Sequence, residues 1–298
     1  MTDLLAPLTA RRTRLRELLA APTPLVAPGA YDALTARLVA QAGFDAVYMT
    51  GFGTTASLLG RPDVGLLGQA EMADNARRIA AVVDIPLIAD ADTGYGDPIN
   101  VIRTVREYEQ AGVAALHIED QVMPKRCGHL AGKEVVPTGE MVAKIEAAVD
   151  ARTDPDLVLI ARTDVAQTEG TDAAIDRARR FADAGADVLF VEAPPSEADI
   201  EKVATELAGQ SLVFNAAEGG RTPPLGLDRL DELGFSLVLY PIATLLAATA
   251  GVRALLTRMR ADGTPTTALQ GAPGLDEMSI LLGLDEIRSL QQRFIPQG

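Results

Sequence analysis

A chain of 298 residues, 48% of them hydrophobic, fills a single barrel of about 250 residues as readily as two average domains. Its formal charge of −14 argues against a nucleic-acid-binding surface, which needs clustered Lys and Arg. It leaves room for an anionic substrate, because a few arginines or a metal can reverse the sign inside a pocket. One cysteine forbids an intrachain disulfide and fits a reducing cytosol, and the scarcity of aromatics leaves the core to Ala, Leu, Val and Ile.

In chain order, residues 1–22 read as an amphipathic N-terminal helix carrying Asp3, Arg11, Arg12, Arg14, Arg16 and Glu17, without the apolar core of a signal peptide. A short strand ends at Gly29, and Asp32 caps a helix to about Ala42. A second strand, 45–50, leads into Gly51-Phe52-Gly53 and a polar loop through Asp63. Then follow a helix from Gln69 to Val83, a strand 85–90 ending in Asp90-Ala91-Asp92, a helix 98–111 and a strand 113–118. Residues 119–137 show no periodicity, as befits a lid or binding loop. Alternation resumes with helices at 138–151, 172–184, 196–207 and 227–233, interleaved with strands at 157–161, 188–191, 212–215 and 236–239. The uncharged run 234–252 is long enough to suggest a membrane span, but Pro241 divides it into a buried strand and a helix 242–259. A last helix covers about 275–294.

Eight strand–helix units predict an α/β protein, a closed (β/α)8 TIM barrel in one domain, 1–298, with an N-terminal helix and a C-terminal helical extension. The protein is expected to be cytoplasmic, with no membrane and no nucleic-acid partner. Active sites of such barrels lie at the C-terminal strand ends, which here carry Tyr48, Thr50, Gly51, Asp90, Asp92, His117, Glu119, Arg162, Glu192 and Asn215. Carboxylates converging without a His or second Cys partner suit a hard, oxygen-seeking ion, Mg2+ or Mn2+. Arg162 offers a fork for a carboxylate. Gly51-Phe52-Gly53 is a weak phosphate signal without the third glycine of a dinucleotide fold. Cys127, between Lys125, Arg126 and Gly128, is expected to have a lowered pKa and to exchange protons, against the bland alternative of a small buried apolar residue.

Lys125-Arg126-Cys127-Gly128-His129, preceded by His117-Ile118-Glu119-Asp120-Gln121 and by the run from Asp90 to Gly96, resembles the isocitrate lyase/phosphoenolpyruvate mutase superfamily. The likeness runs from about 28 to 241, and it is nearest to the short methylisocitrate, dimethylmalate and alkylmalate lyases and to carboxyphosphonoenolpyruvate mutase. The resemblance implies a homotetramer, a dimer of dimers, whose last barrel helix within 241–298 is exchanged between subunits. It implies Mg2+ on Asp90, with Asp63, Asp92 and Glu119 holding its waters. Substrate contacts would come from Thr50, Gly51, Phe52, Arg162, Glu192 and Asn215, with Lys125, Arg126 and Gly128 of the gating loop 119–137. Cys127 would be the acid, assisted by His129 and Glu119, and Tyr48 the candidate base.

The implied reaction is retro-aldol cleavage of a small 2-hydroxy dicarboxylate to a 2-oxoacid and a carboxylic acid. Phosphonate mutase chemistry, oxaloacetate hydrolysis and a non-catalytic binding protein are the alternatives on the same scaffold. Two departures bear on the substrate. Leu246 stands where methylisocitrate lyases carry an arginine, and Ala216-Ala217 replaces their Ile-Thr. Ala243 stands where oxaloacetate hydrolases place a hydroxyl, with Thr244 adjacent.

Overall fold

A computed structural model describes residues 10–129 and 132–295. Residues 1–9 of the expected N-terminal helix, Leu130 and Ala131 of the expected loop, and 296–298 lie outside the described residues.

Eight strands, β1 (Leu25–Ala30), β2 (Val47–Met49), β3 (Leu87–Asp90), β4 (Ala115–Glu119), β5 (Val158–Thr163), β6 (Val188–Val191), β7 (Val213–Asn215) and β8 (Leu237–Tyr240), form one parallel sheet. Its order is β6-β5-β4-β3-β2-β1-β8-β7, and a parallel bridge between Leu189 and Leu212 joins the two ends. The expected (β/α)8 barrel is therefore what the chain adopts. Between the strands run helices α2 (Ala33–Gln41), α3 (Gly51–Leu59), α4 (Gln69–Ala80), α5 (Pro98–Ala111), α6 (Thr138–Ala151), α7 (Ala166–Glu169), α8 (Thr171–Asp183), α9 (Glu197–Glu206) and α10 (Leu227–Glu232).

Strand side chains alternate between the barrel interior and the helix layer. Leu25, Ala27, Tyr48, Ile88, Ala115, Val158, Ile160, Val188, Phe190, Val213, Leu237 and Leu239 share the inner cluster. Their odd-and-even neighbours Val47, Leu87, Leu116, Leu159, Leu189, Phe214 and Val238 belong to the outer one. The same parity carried to the C-terminal ends turns Thr50, Asp90, His117, Glu119, Arg162, Glu192 and Asn215 inward. Register places Asp90 beside His117 and Glu119 beside Arg162.

Helix α1 (Ala10–Leu19) closes the opposite mouth, and its buried face is not the apolar stripe expected. Leu15 is fully buried with the inner cluster, and Arg11 and Arg12 are buried beside it. The guanidinium of Arg11 donates to the Ala80 carbonyl at 2.6 Å, and that of Arg12 to the carbonyls of Val113 and Glu109 and to Asp154. Arginines face the barrel here because the loops entering its strands present unpaired carbonyls that only donors can satisfy.

Two other expectations change, and a third holds. Gly51-Phe52-Gly53 is the first turn of α3, with the Thr50 hydroxyl accepting from the Gly53 N–H, so the segment read as loop is a helix. The last helix is two, α12 (Leu275–Leu281) and α13 (Leu284–Phe294), with Gly283 between them. The uncharged run divides at Pro241, as expected, into β8 and α11 (Ala243–Asp262). No helix among the described residues is long and apolar enough to cross a membrane. None of the residues of α11, α12 or α13 is buried, although α11 carries Leu246, Val252 and Leu256 on an exposed surface.

Leu15 is a stringent probe of the plug. Leu15→Ala is expected to cost about 2–5 kcal/mol of stability through the cavity it leaves. Urea unfolding measures this, and a midpoint equal to that of the parent chain would show that α1 merely lies against the barrel.

Candidate active site

A cavity of about 250 Å³ opens at the C-terminal mouth. Tyr48, Thr50, Phe52, Asp63, Asp90, Lys125, Cys127, Gly128, His129, Arg162, Glu192 and Asn215 all line it, so most of the expected residues converge. Asp92 and Glu119 are buried behind them, in contact with Lys125 and Arg162 respectively. Gly51 is buried behind Asp90, to which it donates its N–H, and Arg126 is turned out of the site. Its side chain is exposed and outside the cavity lining, because the backbone N–H and carbonyl of Arg126 are both held by the Gln121 side chain, which turns the guanidinium outward.

The floor is a layer from alternate strands. Tyr48 stacks on His117 with centroids 5.7 Å apart, and His117 meets Phe190 edge-on at 5.7 Å. The Tyr48 hydroxyl lies 2.8 Å from His117 Nε2. Burial, followed by the nearby Asp90 charge, pushes the Tyr48 hydroxyl well above its usual pKa, and burial lowers that of His117, so both rings are neutral near pH 7.

One wall is acidic. Asp90 accepts the Gly51 N–H at 3.1 Å and the Asp92 N–H at 2.9 Å, one on each oxygen. Burial works against its charge, but Lys125, Arg162 and the Asp92 N–H outweigh it, so Asp90 stays ionised. Asp92, at a left-handed φ of 47°, is raised by burial to about 6 despite Lys125. Burial likewise raises Glu119 well above the carboxylate range, more than Arg162 can offset. The Lys125 ammonium sits among these groups, 2.7 Å from Asp63 and 2.5 Å from Asp92, and their charges keep it protonated against burial.

Among the described residues no group of three or more His, Cys, Asp or Glu side chains is arranged to ligate an ion directly. The site does fit an ion held by one carboxylate through a shell of water. All donors are hard oxygens, and Glu119 Oε1 is buried without a hydrogen-bond partner. A Cβ at residue 51 would stand 2.3 Å from Asp90 Oδ2, so glycine keeps that oxygen clear.

The opposite wall is the loop. The Cys127 N–H donates to the Asp63 carbonyl at 3.1 Å, and the loop is stapled at its base by an antiparallel bridge between Gln121 and Val135. The thiol is where the sequence reading fails. Lys125 is committed to Asp63 and Asp92 and Arg126 points away, so neither stabilises a thiolate. Burial, with Asp63 and Glu192 nearby, raises the thiol to about 11. Cys127 is a protonated acid at neutral pH. Next to it, His129 Nδ1 accepts the Arg221 N–H at 3.0 Å, which leaves the proton on Nε2, 3.0 Å from Glu192 Oε1. Burial alone would raise Glu192, but Arg162, His129 and Lys133 together hold it well below the usual carboxylate range.

Arg162 is less available than expected. Asp164 takes two of its hydrogen bonds at 2.9 and 3.1 Å, and Glu119 lies 3.3 Å away. Asp164, Lys133, Glu218 and Ile242 were not foreseen. Glu218 and Ile242 line the cavity, and the Ile242 N–H donates to Glu218 Oε2, leaving Glu218 Oε1 unpartnered. Only Asp164, two residues after Arg162 on an inward parity, left a readable trace.

Gly51→Ala tests the acidic wall. It is expected to weaken Mg2+ binding at least about tenfold by displacing Asp90. Isothermal titration calorimetry measures this, and an unchanged affinity would detach Asp90 from the ion.

The phosphoenolpyruvate phosphomutase family model matches residues 15–260. The chain is 46% identical over 281 residues to 2,3-dimethylmalate lyase of Eubacterium barkeri, covering 94% of this chain and 97% of that one. It superposes on oxaloacetate acetylhydrolase in complex with 3,3-difluorooxalacetate with a TM-score of 0.92 at 39% identity, covering 98% and 99% of the two chains. Phosphonopyruvate hydrolase in complex with oxalate and Mg2+ is similar at a TM-score of 0.87 and 31% identity, covering 96% and 99%. The protected thiol, the carboxylate wall and the barrel around them are thus those of a member of the phosphoenolpyruvate mutase/isocitrate lyase superfamily, to which this chain belongs.

Proposed function

We propose that the protein is a divalent-metal-dependent carbon–carbon lyase that cleaves a 2-hydroxy dicarboxylate of the alkylmalate type to a 2-oxoacid, such as pyruvate, and a carboxylic acid. The observation that carries this reading is a thiol held protonated, at about 11, across one small cavity from an ionised Asp90. A carbanion leaving the broken C–C bond needs a proton, and a thiol too weakly acidic to lose it prematurely supplies one.

Mg2+, or Mn2+, bound at Asp90 through waters on Asp63, Asp92 and Glu119 would polarise the 2-hydroxy carboxylate end as a Lewis acid. The chain's own groups do the rest. Thr50, Gly51, Asn215 and the free edge of Arg162 orient the substrate, with Glu192 and His129 closing the side wall. Tyr48 can take the hydroxyl proton only by passing on its own, and His117 Nε2 at 2.8 Å is the acceptor placed for it. Cys127 then protonates the departing carbon, and the loop 119–137 keeps water out.

The far end of the cavity supports a modest, uncharged substituent. Phe52, Ala217, Pro241 and Ile242 line it, Glu218 adds a carboxylate, and Leu246 is exposed outside it. Among the described residues on that side, no cation is offered to a third carboxylate. Oxaloacetate hydrolysis is disfavoured because Thr244 spends its hydroxyl on the Gly29 carbonyl at 2.7 Å and Ala243 has none. The exposed α11 suits exchange between copies of the chain in a homotetramer, the whole chain forming one catalytic domain, and a cytoplasmic setting fits the free thiol.

Pyruvate release, coupled to lactate dehydrogenase, should be Mg2+-dependent with 2,3-dimethylmalate or 2-ethylmalate and weaker with 2-methylisocitrate. No release from any diacid, together with rearrangement of phosphonopyruvate seen by phosphorus NMR, would transfer the protein to the mutase branch. Cys127→Ser is expected to lower turnover at least about a hundredfold while pyruvate and Mg2+ still bind. Asp90→Ala should abolish both activity and metal dependence, and a metal-independent residual rate near wild type would remove Asp90 from the mechanism.

A further inference from the structure

Lys133 lies on the return limb of the loop, six residues after Cys127, and a loop lysine ordinarily keeps its ammonium in water. Here the side chain is 1% exposed, paired at 2.8 Å with an Asp164 that is wholly buried. Its ammonium also donates to the Gly128 carbonyl, and Gln167 Nε2 donates to the same oxygen at 3.1 Å. Burying an ammonium is costly unless its partners repay it, so this placement calls for a role.

The partners define one. Asp164 is shared, accepting two hydrogen bonds from the pocket's Arg162 and one from the loop's Lys133. Gly128 follows Cys127 directly, and a Cβ there would meet Arg162 Nη2 and Glu192 Oε1 at 2.3 Å, so the peptide after the thiol is pressed onto those groups. The stretch is pinned on the other side too, through the Gln121 side chain on Arg126 and the Asp63 carbonyl on the Cys127 N–H. Two donors on the Gly128 carbonyl fix the Gly128–His129 peptide plane, one residue beyond Cys127, and so hold the backbone next to the thiol.

We propose that Lys133 is a positioning residue: by bridging Asp164 to the Gly128 carbonyl it sets the face from which Cys127 delivers its proton, and it couples closure of the loop to the setting of Arg162. The proposal rests on Cys127 being the proton donor. In that step the S–H bond breaks as a C–H bond forms at the leaving carbon, and the thiolate regains a proton from solvent once the loop opens. Without Lys133 the carbanion is still produced but meets protons from either side.

The test compares the parent enzyme with Lys133→Met, Lys133→Arg and Gln167→Leu. Cys127 is the sole cysteine, so the rate of its alkylation by iodoacetamide reads the loop directly, whatever reaction the enzyme catalyses. Lys133→Met is expected to alkylate about ten- to a hundredfold faster, the loss of one buried charged hydrogen bond, with Lys133→Arg restoring protection in part. Turnover of 2,3-dimethylmalate in D2O supplies the second readout. The parent should give propionate deuterated on one face. Lys133→Met should give a lower kcat at similar KM and label on both faces. Gln167→Leu, which removes only the second donor, carries the same comparison with a smaller change if Lys133→Met does not fold. Faster alkylation in a chain whose parent cleaves no malate would uphold the clamp and reject the lyase reading. Unchanged alkylation, or a slowed enzyme whose label stays on one face, would overturn the positioning role.

Discussion

Six buried carboxyl groups, Asp63, Asp90, Asp92, Glu119, Asp164 and Glu192, face three buried cations, Lys125, Arg162 and Lys133, at one end of the barrel. Charge buried out of balance is not tolerated in a medium of low polarity. The structure answers in two ways. Asp90, Asp164 and Glu192 keep their charge through Arg162, Lys125 and backbone donors, while Asp92 and Glu119 are pushed toward the neutral form. A divalent ion would remove the deficit, letting the raised pair ionise. The acidity of the site is thus an electrostatic circuit set by which carboxyl groups the three cations reach.

Everything near that circuit is held by something farther away. The Tyr108 hydroxyl donates to the Asp90 carbonyl at 3.0 Å and is met by Tyr95 at 3.1 Å. Asp120, at the exit of β4, is bonded by Thr163, by the Asp164 N–H and by Arg177, which also reaches the Val136 carbonyl where the loop ends. The strands deliver functional side chains, and this outer shell fixes their directions. The bridge between Gln121 and Val135 marks where the barrel gives way to the loop.

Most of the fold was legible because it rests on local signals. Alternation of apolar strands with helices, glycines ending helices, and Asp32 as a cap are each read within a few residues. The inward parity of Asp90, Glu119, Arg162, Glu192 and Asn215 follows from the same short-range rule. Helix α3 was lost because two glycines and a β-branched pair weaken its propensity, while the Thr50 cap and packing against α4 and β1 sustain it. Residues 10–19 misled in another way, since burial of Arg11 and Arg12 is decided by carbonyls far along the chain. The thiol environment was illegible for the same reason: neighbours in sequence, Lys125 and Arg126, are turned away by Asp63 and Gln121, and distant carboxylates replace them. Lys133 and Asp164, 31 positions apart, carry no local mark of their pairing.

The raised thiol has a consequence for durability. Oxidants such as peroxide attack the thiolate rather than the thiol. With a value of about 11, roughly one Cys127 in ten thousand is ionised at pH 7. A low-pKa cysteine in the same place would make a faster nucleophile and a readier target for peroxide. Keeping the proton on sulfur makes the chain's one sulfhydryl slow to be oxidised.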